Sequence, residues 1–140
     1  MSRERYVHWT PQAVRWGDMD ALGHVNNVAY FVYCESARMA FFAALELESY
    51  SEGGRQGPAL VSASCTFRQQ VRHPATLEVG VRVARIGGRS FTLDYGLYRR
   101  GEEEPVAEGS SVVVWIDYAA GKALPLPTKL RSALEARAPR

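Results

Sequence analysis

The chain has 140 residues, of which 46% are hydrophobic and 23% charged. This is the make-up of one ordinary globular domain spanning 1–140, large enough to bury roughly two-thirds of its unfolded surface without a disulfide framework or a structural metal. Seventeen Lys+Arg against fifteen Asp+Glu leave a formal charge of +2, which excludes the strong basic patch of a nucleic-acid binder.

The first nine residues mix charges with no apolar core, so no secretory leader is expected. Residues 12–17 alternate and end at Gly17, which predicts a short strand. Residues 18–26 form a polar connection containing Gly23. From 27 to 47 there is no Gly or Pro, and the segment predicts a helix of roughly 30 Å. Its apolar residues cover nearly the whole circumference through 39–45, the pattern of a helix buried on most sides. Glu35 and Arg38 are spaced to pair on the remaining polar stripe, and Asn26 or Asn27 is suited to cap the first turn. The longest apolar runs, 28–34 and 39–45, have 7 residues each, far below the ~18 of a membrane span.

After the break at 51–54 the period changes to two. Val61, Ala63, Cys65 and Phe67 share one strand face; Leu77, Val79, Val81 and Val83 share the next. Gly87-Gly88 reads as a two-residue hairpin turn in which positive φ is cheap. Phe91, Leu93, Tyr95 and Leu97 form another inward face. A last long strand over 105–117 carries Val106, Val112, Val114 and Ile116 as its apolar set. A short amphipathic helix is expected over 128–136. The order is α+β, one long central helix wrapped by a five-stranded antiparallel sheet.

Cys34 and Cys65 lie in apolar stretches without metal or redox spacing, the pattern of reduced thiols packed as small hydrophobes in the cytoplasm. Cys34 lacks the neighbouring base a nucleophile needs.

Chemistry concentrates in Asp18-Met-Asp20-Ala-Leu-Gly23-His24-Val-Asn26-Asn27, directly before the long helix. As a calcium loop it fails, because Leu22 and Ala29 occupy ligating positions. A transition-metal site from Asp18, Asp20 and His24 would lack a second His or Cys cluster. Acyl transfer fits better. Unpaired N–H groups at a helix start can hold a developing oxyanion, and a carboxylate beside them can activate water or attack directly. Capping of the helix is the non-catalytic alternative.

These residues carry a resemblance. Asp18 through Asn27, with Tyr30 and Glu35-x-x-Arg38, resembles the signature of hotdog-fold thioesterases, in particular the 4-hydroxybenzoyl-CoA thioesterase and YbgC-like families. The His24-Val-Asn26-Asn27 run is also similar to plant acyl-ACP thioesterases. The likeness continues through Gly57-Pro58, Gly88-Arg89-Ser90-Phe91 and Ala107-Glu108-Gly109. It implies a hotdog fold and a thioester hydrolase with Asp20 as general base or nucleophile and the backbone amide near Asn27 polarising the carbonyl. Asp18 matches a first acid suited to capping. His24 has a histidine counterpart only in the acyl-ACP branch, so catalytic and hydrogen-bonded structural roles both stand. Leu22 replaces an asparagine of that branch, leaving its acid–amide–imidazole set incomplete. Arg89 and Ser90 match positions that contact the phosphates of coenzyme A, with Arg68, Arg72 and His73 on the same positive rim. The implied substrate is an acyl-CoA, with acyl carrier protein as the alternative carrier. No cofactor, metal, nucleic acid or membrane is implied. The implied assembly is a homodimer or homotetramer with its site between subunits. A hotdog enoyl-CoA hydratase and a non-catalytic acyl-thioester binder are the alternative functions.

Overall fold

The computed structural model describes residues 2–138. Strand β1 (His8–Val14) is followed by a 3-10 turn at Trp16–Asp18 and helix α1 (Asn27–Ala44). Then come β2 (Gln56–Phe67), β3 (Ala75–Ile86), β4 (Ser90–Arg99), β5 (Pro105–Asp117), the two-residue β6 (Lys122–Ala123) and helix α2 (Thr128–Glu135). The antiparallel sheet runs β1-β3-β4-β5-β2, with β6 attached to β5. This curled sheet with one long helix is the α+β hotdog arrangement.

The core forms where two period-two strands meet one helix face. Leu77, Val79, Val81 and Val83 of β3 and Leu93 and Leu97 of β4 are fully buried. They lie in the same cluster as Tyr33, Ala37 and Phe41 of α1. Leu130 and Leu134 close it from α2.

Five local expectations change. β1 starts at His8 rather than residue 12 and contains Pro11, which a sheet-edge strand tolerates because it can turn an unpaired backbone position outward. α1 stops at Ala44 because Glu46 adopts φ 54° and a 3-10 turn takes over. The inward residues of β5 are Ser111, Val113 and Trp115, while Val112, Val114 and Ile116 lie on the opposite face. The Gly87–Arg89 connection closes with Gly87 N–H donating to the Ser90 carbonyl at 2.7 Å, and neither glycine has positive φ. Finally, α1 is buried on one side only. Val28, Phe31, Val32 and Met39 remain 62%, 38%, 43% and 57% exposed, because the sheet covers the helix from one side. β2, the strand beside that uncovered side, exposes Leu60, Val61 and Phe67.

Candidate active site

Residues 18–26 fold as a tight loop whose two arms hold each other. Asn26 N–H donates to the Asp18 carbonyl (2.9 Å), and Asp20 N–H donates to the His24 carbonyl (3.1 Å). Met19 and Val25 form an isolated bridge between them. Gly23 turns the tip at φ 83°, a left-handed conformation that glycine adopts without a Cβ penalty. Val25 N–H donates to the Val71 carbonyl at 2.8 Å, tying the loop to the segment after β2.

The two acids of the loop do different things. Asp18 Oδ2 accepts from the Tyr33 hydroxyl at 2.6 Å and from the Arg15 backbone N–H at 3.0 Å. Arg15 Nη2 lies 3.2 Å from Oδ1. Burial pushes the Asp18 carboxyl upward, but the Tyr33 hydroxyl and the Arg15 amide and guanidinium outweigh it, so it sits below its ordinary 3.8. Tyr33 is shifted up, by burial first and by Asp18 second. Asp18 therefore anchors the loop to α1. Asp20 is exposed. Its Oδ1 accepts from Leu22 N–H at 2.9 Å, which orients the carboxylate and leaves the second oxygen without an acceptor role among the described residues.

The helix start supplies the third group. Asn26 is the cap, its Oδ1 accepting from Val28 N–H at 2.9 Å, while Ala29 N–H donates to the Asn26 carbonyl. Asn27 is the first helical residue. Its N–H has no intramolecular acceptor among the described residues, as expected of an orphan donor in the first turn. Asp20, His24 and Asn27 rim one cleft of about 320 Å³, together with Tyr30, Phe67 and Arg68. Tyr30 is 3% exposed and stacks obliquely on Phe67 at 5.2 Å, so it packs the helix as it walls the cleft.

His24 Nε2 lies 3.3 Å from Arg72 Nη2. A guanidinium only donates, so as a hydrogen bond this contact uses the Nε2 lone pair as acceptor. The positive surface continues past His24 into a second cleft lined by Arg72, Arg99 and Arg100. Arg99 there donates to Gln69 Oε1 and the Gln70 carbonyl, both at 2.6 Å. Among the described residues no group of three or more His, Cys, Asp or Glu side chains is placed to hold a metal.

Arg89 and Ser90 are elsewhere. Ser90 pairs with Val114 of β5, whereas the Asp20 cleft meets β2 at Phe67, which pairs with Ala107. Seven residues of β5 separate those positions, about 23 Å at ~3.3 Å per residue. Arg68 and Arg72 lie at the Asp20 end, so within one chain they do not share a rim with Arg89. Arg68 pairs instead with Glu108 at 3.0 Å. Arg38, expected beside Glu35 on the surface, is buried and donates to the Tyr95 hydroxyl at 3.2 Å. Cys34 is a free thiol pushed up to about 12 by burial, and Cys65 one pushed up to about 11 by the same cause. Neither has thiolate character near neutral pH.

Sequence reasoning does not single out Tyr33, Arg15 or Phe67 as site residues. Tyr33 and Phe67 sit in apolar runs whose period signals core, and only the folded chain sets them against the loop.

Residues 14–134 match the model of the thioesterase-like superfamily. The chain is 33% identical to the protein YsmA of Bacillus subtilis over 80% of its own length and 74% of that protein's. It is 26% identical to a 1,4-dihydroxy-2-naphthoyl-CoA hydrolase of Synechococcus elongatus, over 89% of this chain and 92% of that one. Among solved structures, the PA5185 protein of Pseudomonas aeruginosa superimposes with a TM-score of 0.86 at 34% identity, covering 98% of this chain and 95% of that chain. No helix of the described residues is long and apolar enough to cross a membrane. With its curled sheet, long helix and acid loop at the helix start, the chain belongs to the thioesterase-like superfamily of hotdog-fold thioester hydrolases.

Proposed function

We propose that this protein is an acyl-CoA thioesterase in which Asp20, as general base or nucleophile, and the backbone amide of Asn27 carry the reaction. The observation that carries this is that both line one cleft, Asp20 with a carboxylate oxygen left open and Asn27 with an orphan helix N–H. The amide holds the thioester carbonyl oxygen as it becomes an oxyanion. Asp20 takes a proton from water as the new C–O bond forms, or attacks the carbonyl itself and is released by water. The C–S bond then breaks and CoA leaves as a thiol. A thiolate is a good leaving group, so no strong acid is needed at that step. His24, whose Nε2 lies against the Arg72 guanidinium, serves to orient the substrate and water.

The assembly is a homodimer, of which a homotetramer would be a pair. A second copy running antiparallel along the β2 edge carries its Arg89 end toward the Asp20 end of the first. Arg89 and Ser90 of one subunit then meet the nucleotide phosphates of a thioester cleaved in the other, beside Arg68 and Arg72. Charge-assisted bonds from arginine suit those phosphates. Similarity to a naphthoyl-CoA hydrolase supports a CoA thioester, and similarity to acyl-acyl carrier protein thioesterases of Arabidopsis thaliana keeps acyl carrier protein as the alternative carrier. The compartment consistent with the two free thiols is the cytoplasm.

A thiol-release assay over short, long and aromatic acyl-CoAs tests this reading. Release of CoA thiol from at least one class supports it. Loss of enoyl absorbance from crotonyl-CoA without thiol would mark a hydratase instead. Ligand-dependent thermal shifts with neither reaction would mark a binder.

A further inference from the structure

Helix α1 buries a charge that nothing in the same chain neutralises. Arg38 is 8% exposed, and among the described residues its one hydrogen bond is Nη1 to the Tyr95 hydroxyl. That hydroxyl is shared with Ser111 Oγ at 2.6 Å, so both neighbours are neutral. A guanidinium has five N–H donors, and a buried cation lacking a counter-charge is strongly destabilising. Arg38 lines a pocket of about 180 Å³ between α1 and β2, with Val28, Val32, Leu60 and Ala63 on its walls and Glu35 also at its edge. Glu35 is exposed and forms no ion pair within its own chain among the described residues.

The surface around this pocket is apolar. Val28, Phe31, Val32, Glu35 and Met39 fall at i, i+3, i+4, i+7 and i+11, so they form one outward stripe. Glu35 is the single charge within that stripe. Alongside it, β2 ends the sheet and exposes Leu60 and Val61. The pocket runs from the first turn of α1 to its middle, where Glu35 and Arg38 sit, and meets β2 at its centre, Leu60 to Ser64. That is where a two-fold axis falls if two β2 edges run side by side. In such an isologous contact, residue i meets j and j meets i, so one acid and one base serve two pairs.

We infer that the Glu35 carboxylate of a second copy fills the Arg38 pocket, forming two reciprocal ion pairs that seal the apolar stripe around the two-fold axis. The inference rests on the homodimer proposed above, and charge complementarity selects the second copy as the occupant. The acid on the stripe matches the unneutralised base beneath it. Water leaves the pocket as the stripes close, and the Tyr95 and Ser111 hydroxyls hold the guanidinium in place.

The test is sedimentation of wild type, Glu35→Arg, Arg38→Glu and an equimolar mixture of the two variants, each checked for folding by circular dichroism. Wild type is expected to be a dimer, and each variant alone to raise the dimer Kd by about a hundredfold or more, because a buried charge then faces a like charge. The mixture restores dimers. In a mixed dimer the arginine introduced in one chain faces the glutamate introduced in the other, and the remaining Glu35 and Arg38 still match. A Glu35–Arg38 pair within one chain gives no such rescue. If Arg38→Glu does not fold, Arg38→Met replaces it; mixing with Glu35→Arg should then give dimers tighter than Glu35→Arg alone. A monomeric wild type overturns the dimer reading itself. A dimeric wild type with a Glu35→Arg variant that dimerises equally well, or with folded variants that fail to rescue each other, overturns this inference alone.

Discussion

Asp18 and Asp20 stand two residues apart, and their surroundings give them opposite tasks. Asp18 points back toward α1, where the Tyr33 hydroxyl, the Arg15 amide and the Arg15 guanidinium use its oxygens. Asp20 points outward and gives one oxygen to its own turn. The difference follows from chain direction. Asp18 ends an exposed 3-10 turn but its side chain reaches in to the Tyr33 hydroxyl of α1, whereas Asp20 lies past the Met19–Val25 bridge, on the arm that leads to the exposed tip. A carboxylate saturated with donors is a structural element; one left open on the rim of the cleft that Asn27 also lines is chemically available.

After Asp20 itself, the largest effect should come from the amide. Asn27 is the first helical residue, where proline is tolerated, and Asn26 has φ −64° and ψ 140°, compatible with a following proline. Asn27→Pro thus removes the N–H and keeps the helix. Steady-state kinetics should show kcat lower by about 10²–10³, the usual cost of one oxyanion donor. Unchanged kcat would leave Asp20 without its partner and erase the contrast between the two acids.

Asp18→Asn should act on stability. Losing a charge that accepts from Tyr33 and Arg15 should cost about 1–3 kcal/mol at neutral pH, read by chemical denaturation. The sign is fixed by its lowered pKa. The contribution is fully present above the ordinary 3.8 and is lost as pH falls through the folded value, so wild type and variant should converge in acid. A difference independent of pH would mean that packing, not charge, anchors the loop.

Arg89→Ala should raise KM for acyl-CoA about tenfold, matching the loss of a charge-assisted bond, with little change in kcat. A short acyl-pantetheine, which lacks the nucleotide, should not distinguish the two enzymes. Smallest is Asn26→Ala, which removes the helix cap for about 1 kcal/mol and should lower the melting temperature without abolishing activity.

Much of this is legible in the sequence because the relevant signals are local. The acid–imidazole–amide run is contiguous, and α1 and the buried faces of β3 and β4 announce themselves by period. The face of β5 does not. Ser111-Val112-Val113-Val114-Trp115-Ile116 is apolar on both sides, so alternation gives two equal answers. Pairing of Val113 with Phe91 decides between them. Pro11 hides the first half of β1 because only an edge position accommodates it. The outer stripe of α1 reads as core by composition, and burial alone separates it from the inner face. Tyr33 enters the site through a contact across fifteen residues that no spacing rule reports.

If Asp20 does the chemistry while Asp18 holds the loop, the two acids must separate in a single kinetic experiment. That experiment is single-turnover thiol release from one acyl-CoA substrate, comparing wild type, Asp18→Asn and Asp20→Asn enzymes confirmed as folded. Asp20→Asn should slow release by about 10²–10⁴ at undiminished stability, the range for a lost general base. Asp18→Asn should keep most of its rate once folded. Wild-type release by Asp20→Asn, or a loss confined to Asp18→Asn, would contradict this division of labour.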